Sequence, residues 1–103
     1  MIGLDLVDMT RIHFEESFVR RILTEEEYSV YGTFTSEKRR REYLAGRFAS
    51  KEAIFKATQD PHYLHYSILN DDKGKPYVKD HPEMNISISH DGNIAAAIVQ
   101  INE

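Results

Sequence analysis

The sequence contains no cysteine and no tryptophan, and only three of its 103 residues are proline. The absence of cysteine excludes disulfides and thiolate chemistry, and it fits a reducing compartment. No apolar stretch approaches the roughly 20 residues of a membrane span, and the N-terminus lacks the basic segment and long apolar core of a signal peptide. We therefore expect a cytoplasmic protein that contacts no membrane.

A surplus of positive charge is missing as well. Thirteen Lys and Arg residues face seventeen Asp and Glu residues, a net charge of -4, and this balance argues against nucleic-acid binding as the main role. The basic residues nevertheless concentrate in the first half, which suits an acidic partner. The run at 38–41 is interpreted as a solvated helix face because Glu37 and Glu42 flank it; a nucleic-acid binder that uses this run is the weaker alternative.

The length predicts one domain over 1–103, and an apolar content of 41% is ordinary for a globular chain. So short a chain buries a modest fraction of its surface. We therefore expect a second subunit to supply the other wall of any cleft for a large ligand.

Periodicity and turn residues predict an α+β fold in which a mostly antiparallel sheet packs against one long helix. Thr24 and Glu27 can form a capping box, Ser36 can cap the long helix, and no proline interrupts 37–58. The predicted elements are a strand over 1–7, one or two short helices over 10–23, a helix from Thr24 to near Gly32, a helix over 37–58, and strands over 64–69, 75–79, 85–90 and 94–101. The last strand is strongly apolar, so we expect it to be central.

Asp5 lies within an apolar segment, opposite the row that Ile2, Leu4 and Leu6 form on the first strand. Burying an unpaired carboxylate is costly, so a compensating partner is expected. Glu52 lies on or beside the apolar stripe of the long helix. Two inward-facing carboxylates can share one hard divalent cation, and they suit Mg²⁺, which keeps waters and takes other ligands from phosphates.

Both halves of this interpretation have an alternative. Lys56 follows Glu52 by four residues, a spacing that fits a simple helix-stabilising ion pair as well as a lysine that meets phosphate oxygen. Asp8 rivals Asp5 as a metal ligand, but it falls where a helix N-cap is expected, so capping or surface charge is the preferred interpretation.

The histidines and serines of the second half are less informative. His90 ends a predicted strand, where a structural role is as good an interpretation as a functional one. Ser87 and Ser89 alternate with core isoleucines, so no Ser-His-Asp triad is predicted. His62 and His65 could indicate a metal site, but no further clustered ligand supports it, and a loop or strand start is preferred.

Four segments stand out, namely "GLDLVDMTRI", "YLAGRFASKEAIFKA", "NDDKGKPYV" and "ISISHD". In their order and spacing they resemble the holo-[acyl carrier protein] synthase family of the 4'-phosphopantetheinyl transferase superfamily, over nearly the whole chain. The resemblance implies a single domain with the fold of those transferases. It also implies an enzyme of fatty acid biosynthesis that uses Mg²⁺ to move the 4'-phosphopantetheine arm of coenzyme A to a serine of apo acyl carrier protein.

The resemblance also implies roles for particular residues. Asp5 and Glu52 would ligate the metal, and Lys56 would contact a phosphate. Glu52, directly or through a metal-bound water, would be the general base. Arg47 and His90 would help to bind the nucleotide phosphates of coenzyme A.

The family is typically a homotrimer with active sites between subunits. Arg47 lies about 140° around the helix from Glu52, so it would reach the same coenzyme A around an end or from a neighbouring subunit; an exposed helix arginine is the alternative. Arg11 and Arg21 match the family's surface for the acidic carrier protein, and Arg20 adds a charge beside them.

Two features depart from the resemblance. Val7 stands where larger members of the superfamily have a second acidic ligand, so water would fill that metal position. After the helix motif, "TQDPHYLHYS" replaces the family's Gly-rich turn, so phosphate contacts there do not carry over. A trimeric module that binds a nucleotide or an acidic protein without catalysis is therefore the competing hypothesis.

Overall fold

Three helices and five strands make up the protein in a computed structural model that describes residues 1–102. The helices are α1 (Glu16–Ile22), α2 (Glu25–Tyr31) and α3 (Glu37–Thr58), and the strands are β1 (Ile2–Asp8), β2 (Ile68–Asn70), β3 (Pro76–Val78), β4 (Met84–Asp91) and β5 (Ile94–Ile101). Short 3-10 turns lie at Met9–Arg11 and Tyr63–His65. The predicted α+β class is confirmed.

The main sheet is antiparallel, with the strand order β1-β5-β4, and β2 and β3 form a separate hairpin. β5 is therefore central, as its apolar sequence predicted. Its alternate residues Ala95, Ala97, Val99 and Ile101 are buried, because this side of the strand packs against α3. The β2–β3 hairpin is shorter than predicted, since 63–65 form a 3-10 turn and the strand expected from residue 64 begins only at Ile68.

The two faces of β1 have opposite environments. Ile2, Leu4 and Leu6 are 65%, 54% and 65% exposed. The other face holds Asp5, whose side chain is only 15% exposed, and the buried Val7. The predicted alternation is confirmed, and it is the side carrying the carboxylate that packs against α3.

Gly3 allows β1 to approach α3 closely. A Cβ atom at this position would lie 1.9 Å from the carbonyl oxygen of Ala53, far inside van der Waals contact. Only glycine fits between strand and helix backbone at such a distance. The close approach brings the carboxylate of β1 next to the last turns of α3.

The helix boundaries follow the predicted caps. Ser36 accepts a hydrogen bond from the Arg39 amide and starts α3. Thr24 and Glu27 form the predicted capping box at the start of α2, which satisfies backbone amides that have no partner within the helix. No helix within residues 1–102 is long and apolar enough to cross a membrane.

Candidate functional site

Asp5 and Lys56 meet where β1 crosses α3. The Lys56 Nζ donates hydrogen bonds to Oδ1 of Asp5 at 2.9 Å and to the carbonyl of Leu4 at 3.0 Å. The i, i+4 pair of Lys56 with Glu52, an alternative from helical spacing, is absent among the residues that the structure describes. The lysine side chain is still 53% exposed, so its ammonium can turn towards a ligand without unfolding the helix.

Asp5 and Glu52 line one cleft of about 300 Å³, which we call the carboxylate cleft. Its lining residues are Asp5, Leu6, Val7, Asp8, Arg11, Ile12, Phe18, Phe48 and Glu52. The strand and the helix, 47 residues apart at these two positions, thus present oxygen ligands to the same space. Phe18 and Phe48 are in edge-to-face contact at 6.0 Å and give the cleft an apolar wall.

The residues of this cleft fit a hard divalent cation. Only Oδ1 of Asp5 accepts from Lys56, and Oδ2 has no protein partner among the described residues. Within the same part of the chain, no cationic side chain forms a salt bridge with Glu52. Two carboxylates that line one open cleft are a donor set that suits Mg²⁺ together with waters and phosphate oxygens.

Asp8, the alternative metal ligand, instead caps the 3-10 turn that follows β1. It accepts hydrogen bonds from the amide of Thr10 at 3.0 Å and from its hydroxyl at 2.6 Å. These hydrogen bonds hold the pKa of Asp8 below its ordinary value. The N-cap interpretation of Asp8 is confirmed for the 3-10 turn that follows β1.

Tyr63 lies next to this site, behind Phe48 and Glu52, and sequence reasoning missed it. Its ring lies edge-on to Phe48 at 6.0 Å. Burial, and then the neighbouring Glu52 carboxylate, raise the pKa of the Tyr63 phenol above its ordinary value. No local pattern indicates this position, because Tyr63 comes from an irregular segment whose path only the tertiary structure determines.

Arg47 is buried, with 6% of its surface exposed, so the exposed-arginine alternative is wrong. Its Nε donates to the carbonyl of Ile68 at 3.1 Å, its Nη2 donates to Asn70, and its guanidinium lies 4.2 Å above the centre of the Tyr43 ring. Burial lowers the pKa of Arg47 from its ordinary value. The structure thus shows Arg47 joining α3 to β2.

Arg47 and His90 line a second cavity of about 390 Å³, which we call the arginine cavity. His90 is half-exposed there, with Nδ1 4.0 Å from a carboxylate oxygen of Glu42. Among the described residues, the arginine cavity and the carboxylate cleft have no lining residue in common. Arg47 and Glu52 therefore face different sides of α3, as their helical angle predicted.

The three arginines expected at a partner surface differ in how exposed they are and in how far they are already paired within the chain. The side chain of Arg11 is 87% exposed, 3.9 Å from Asp8, and it lines the carboxylate cleft. Arg21 is exposed on α1, and its guanidinium lies 5.9 Å from the centre of the Phe18 ring. Arg20 instead binds Glu16 and Glu25 within its own chain and lies 3.7 Å over a tyrosine ring. Arg11 and Arg21 are therefore more available than Arg20 for binding a partner.

The basic run at 38–41 is more than a solvated face. Arg40 donates to the carbonyl of Phe34 at 2.8 Å, and Arg41 donates to the carbonyls of Met9 and Ile12 at 3.0 and 3.2 Å. Arg40 and Arg41 therefore connect the start of α3 to neighbouring segments through hydrogen bonds. Lys38, by contrast, is exposed.

Comparison with known proteins places these features in a family. A family model described as "4'-phosphopantetheinyl transferase superfamily" matches residues 1–99. The holo-[acyl-carrier-protein] synthase of Onion yellows phytoplasma (strain OY-M) is 39% identical over 118 residues, which cover 99% of this chain and 93% of that protein. The protein of the same name from Geobacillus sp. (strain WCH70) is 41% identical and covers 97% and 93% of the two chains.

Solved structures show the same fold. A holo-(acyl-carrier-protein) synthase from Bacillus anthracis, in complex with CoA (3',5'-ADP), superposes with a TM-score of 0.84 at 38% identity, covering 95% of this chain and 91% of that chain. A holo-[acyl-carrier-protein] synthase from Neisseria meningitidis gives a TM-score of 0.87 at 28% identity, covering 99% and 97%. The expected transferase-like fold is confirmed.

Proposed function

The chain belongs to the 4'-phosphopantetheinyl transferase superfamily, and from this premise we propose that it transfers 4'-phosphopantetheine from coenzyme A to a serine of apo acyl carrier protein. The reaction depends on Mg²⁺ and supports fatty acid biosynthesis. The observation that carries the proposal is the convergence of Asp5 and Glu52 on one cleft, with Lys56 beside them.

In this proposal Asp5 and Glu52 would hold the metal ion, and its remaining positions would be open to waters and to the pyrophosphate of coenzyme A. Bound Mg²⁺ supplies positive charge that stabilises the charge growing on the leaving group. Val7 offers no third carboxylate, so the protein contributes two ligands and leaves the rest of the coordination to water and substrate.

The chemical step breaks the pyrophosphate bond of coenzyme A. The serine oxygen of the carrier forms a new bond to phosphorus, and adenosine 3',5'-bisphosphate leaves with the bonding electron pair. Glu52, directly or through a water, accepts the serine proton. Lys56 turns from Asp5 to a phosphate oxygen and adds a second positive charge at the leaving group.

Arg47 and His90 bind the nucleotide end of coenzyme A in this proposal, across a subunit boundary. The arginine cavity that they line is separate from the carboxylate cleft of the same chain. One coenzyme A molecule can contact both sets when the cleft of one protomer faces the cavity of the next. This requirement supports the homotrimer with active sites between subunits that the resemblance implies.

The outer face of the main sheet is suited to that assembly. We define this outer sheet face by its exposed aliphatic residues Ile2, Leu4, Leu6, Ile94 and Ile98, which are 43–65% exposed. Leu4 lies opposite Ile98 in the β1–β5 register, so the residues form one continuous strip. A second copy of the chain is the occupant we propose, because the strip belongs to the strand that carries Asp5 and its burial would bring another protomer to the cleft.

The carrier protein docks beside the cleft in this proposal. Arg11 lines the cleft, and Arg21 lies on the neighbouring α1 next to Phe18, whose ring forms part of the cleft wall. Their positive charge steers an acidic partner towards the metal site. Arg20 contributes less, since its guanidinium is already paired with two glutamates.

Incubation with apo acyl carrier protein, coenzyme A and Mg²⁺, followed by mass spectrometry of the carrier, tests the function. We expect the carrier to gain the mass of one phosphopantetheine, and we expect chelation of Mg²⁺ to abolish the gain. An unmodified carrier at every enzyme level, together with retained binding of coenzyme A, would favour the non-catalytic module instead.

A further inference from the structure

The segment between α3 and β2 gathers three metal-ligating side chains outside the carboxylate cleft. Asp60, His62 and His65 each offer one ligand atom, and these atoms all lie within 4.8 Å of one another. We call residues 60–66 the histidine turn. The sequence analysis did not favour a metal site at His62 and His65 because no third ligand was apparent. The structure places Asp60 beside them as a third candidate.

We propose that the histidine turn binds a divalent transition metal ion, with Zn²⁺ as the best fit, through one carboxylate oxygen of Asp60 and the Nδ1 atoms of His62 and His65. Two imidazoles and one carboxylate form a mixed nitrogen and oxygen set, which Zn²⁺ takes with a water in the fourth position. The all-oxygen carboxylate cleft favours Mg²⁺ instead. The two sites therefore select different ions.

The geometry of the turn supports this proposal. Nδ1 of His62 lies 2.7 Å from Oδ1 of Asp60, and Nδ1 of His65 lies 3.0 Å from Oδ2. A metal ion would take the place of these two hydrogen bonds, with each neutral ring bonded to it through Nδ1 and carrying its one proton on Nε2. Because the side chains of His62 and His65 are 66% and 59% exposed, an ion can reach them from solvent.

The groups around the ligands hold them in place. The Tyr66 hydroxyl donates to Oδ2 of Asp60 at 2.7 Å, and the amide of His62 donates to Oδ1 at 2.9 Å. The rings of His62 and His65 are stacked, with centroids 4.6 Å apart. Hydrogen bonds of this kind orient metal ligands and increase metal affinity.

A metal ion bound to the histidine turn would also stabilise the neighbouring carboxylate cleft. Tyr63 lies between the two histidines in the chain, its ring contacts Phe48, and its carbonyl accepts from the buried Lys51 at 2.9 Å. An ion bound to the folded turn but not to the unfolded chain stabilises the protein by mass action. We therefore expect the ion to stabilise the contact of Tyr63 with Phe48, whose ring forms part of the cleft wall.

Calorimetric titration of tag-free protein with Zn²⁺, in excess Mg²⁺ at mildly alkaline pH, tests the proposal. We expect one Zn²⁺ per chain and a rise in Tm. His62→Gln and His65→Gln should each weaken binding by about tenfold to a hundredfold or more, whereas His13→Gln, an exposed histidine on another segment, should leave it unchanged. Substitution by Co²⁺ should give the visible spectrum of a four-coordinate ion.

The outcome is independent of the transferase activity. Glu52→Gln should keep the Zn²⁺ site, because it alters only the carboxylate cleft. No binding of Zn²⁺ by the wild-type protein, or equal binding by the double variant His62→Gln and His65→Gln, would overturn the proposal while leaving the proposed function in place.

Discussion

The Lys51 ammonium lies 2.8 Å from Oε1 of Glu27, and both side chains are completely buried. Lys51 also donates to the carbonyls of Ile22 and Tyr63, both at 2.9 Å. The other oxygen of Glu27 accepts from the amide of Ile68 at 2.8 Å. One ion pair thus joins α1, α2, α3, the histidine turn and β2.

Lys51→Met should destabilise the protein by about 3–5 kcal/mol, because it leaves Glu27 buried without a cation. Lys38→Met, a change of the same kind at an exposed position of the same helix, should alter stability by no more than about 0.5 kcal/mol. Urea denaturation measures both. An equal change in the free energy of unfolding in the two variants would show that the buried Lys51–Glu27 pair does not stabilise the fold.

Gly3→Ala should lower stability by about 1–3 kcal/mol or more, because the new methyl group meets the backbone of Ala53. The displacement of β1 should also reduce transferase activity, since Asp5 lies two residues further along the strand. Gly32→Ala is the matched control: its methyl group would have no contact closer than 3.5 Å. Wild-type stability in Gly3→Ala would contradict the close strand–helix packing.

Glu52→Gln should lower turnover by about 10²–10⁴-fold with an unchanged fold, because the shape is kept while a charge is removed. Circular dichroism and the mass-spectrometric assay measure the two properties separately. Glu15→Gln makes the same chemical change at an exposed position that does not line the cleft and should keep full activity. Retained turnover in Glu52→Gln would refute its assigned role.

Arg21→Glu should weaken use of the carrier protein on the order of tenfold at low salt, while sparing the affinity for coenzyme A. The reversal of charge acts on encounter with an acidic partner, so the difference from wild type should shrink as salt is added. Lys38→Glu, at an exposed site on α3, serves as the control in the same kinetic assay. Equal loss of carrier and coenzyme A affinity would contradict the surface assignment.

Ile98→Lys should dissociate the proposed trimer, because it places a charge in the centre of the outer sheet face. Analytical ultracentrifugation should show wild-type trimers and smaller species for the variant. Leu64→Lys alters another exposed aliphatic residue, which is 54% exposed and lies in the histidine turn, and it should leave the assembly intact. A wild-type monomer, or an intact Ile98→Lys trimer, would refute the proposed interface.

Much of the architecture could be predicted from local patterns. The alternation of β1, the Ser36 and Thr24 caps and the uninterrupted helix over 37–58 are all properties of neighbouring residues, and each is confirmed. The secondary structure of the segment after α3 was harder to predict, because its strand-like residues form a 3-10 turn instead. The burial of Lys51 is consistent with its spacing in the sequence. It follows Arg47 by four residues and precedes Ile54 by three, so the three residues share the buried face of α3.

The sequence by itself determined which side of a strand or helix each carboxylate occupies, because periodicity is a local property of the backbone. Only the tertiary structure decided the partners: Lys56 binds Asp5 across 51 residues rather than the nearby Glu52, Arg47 is buried against β2, and Asp60 joins two histidines. The physical reason is that a pairing depends on which distant segments pack together, and backbone periodicity carries no information about that.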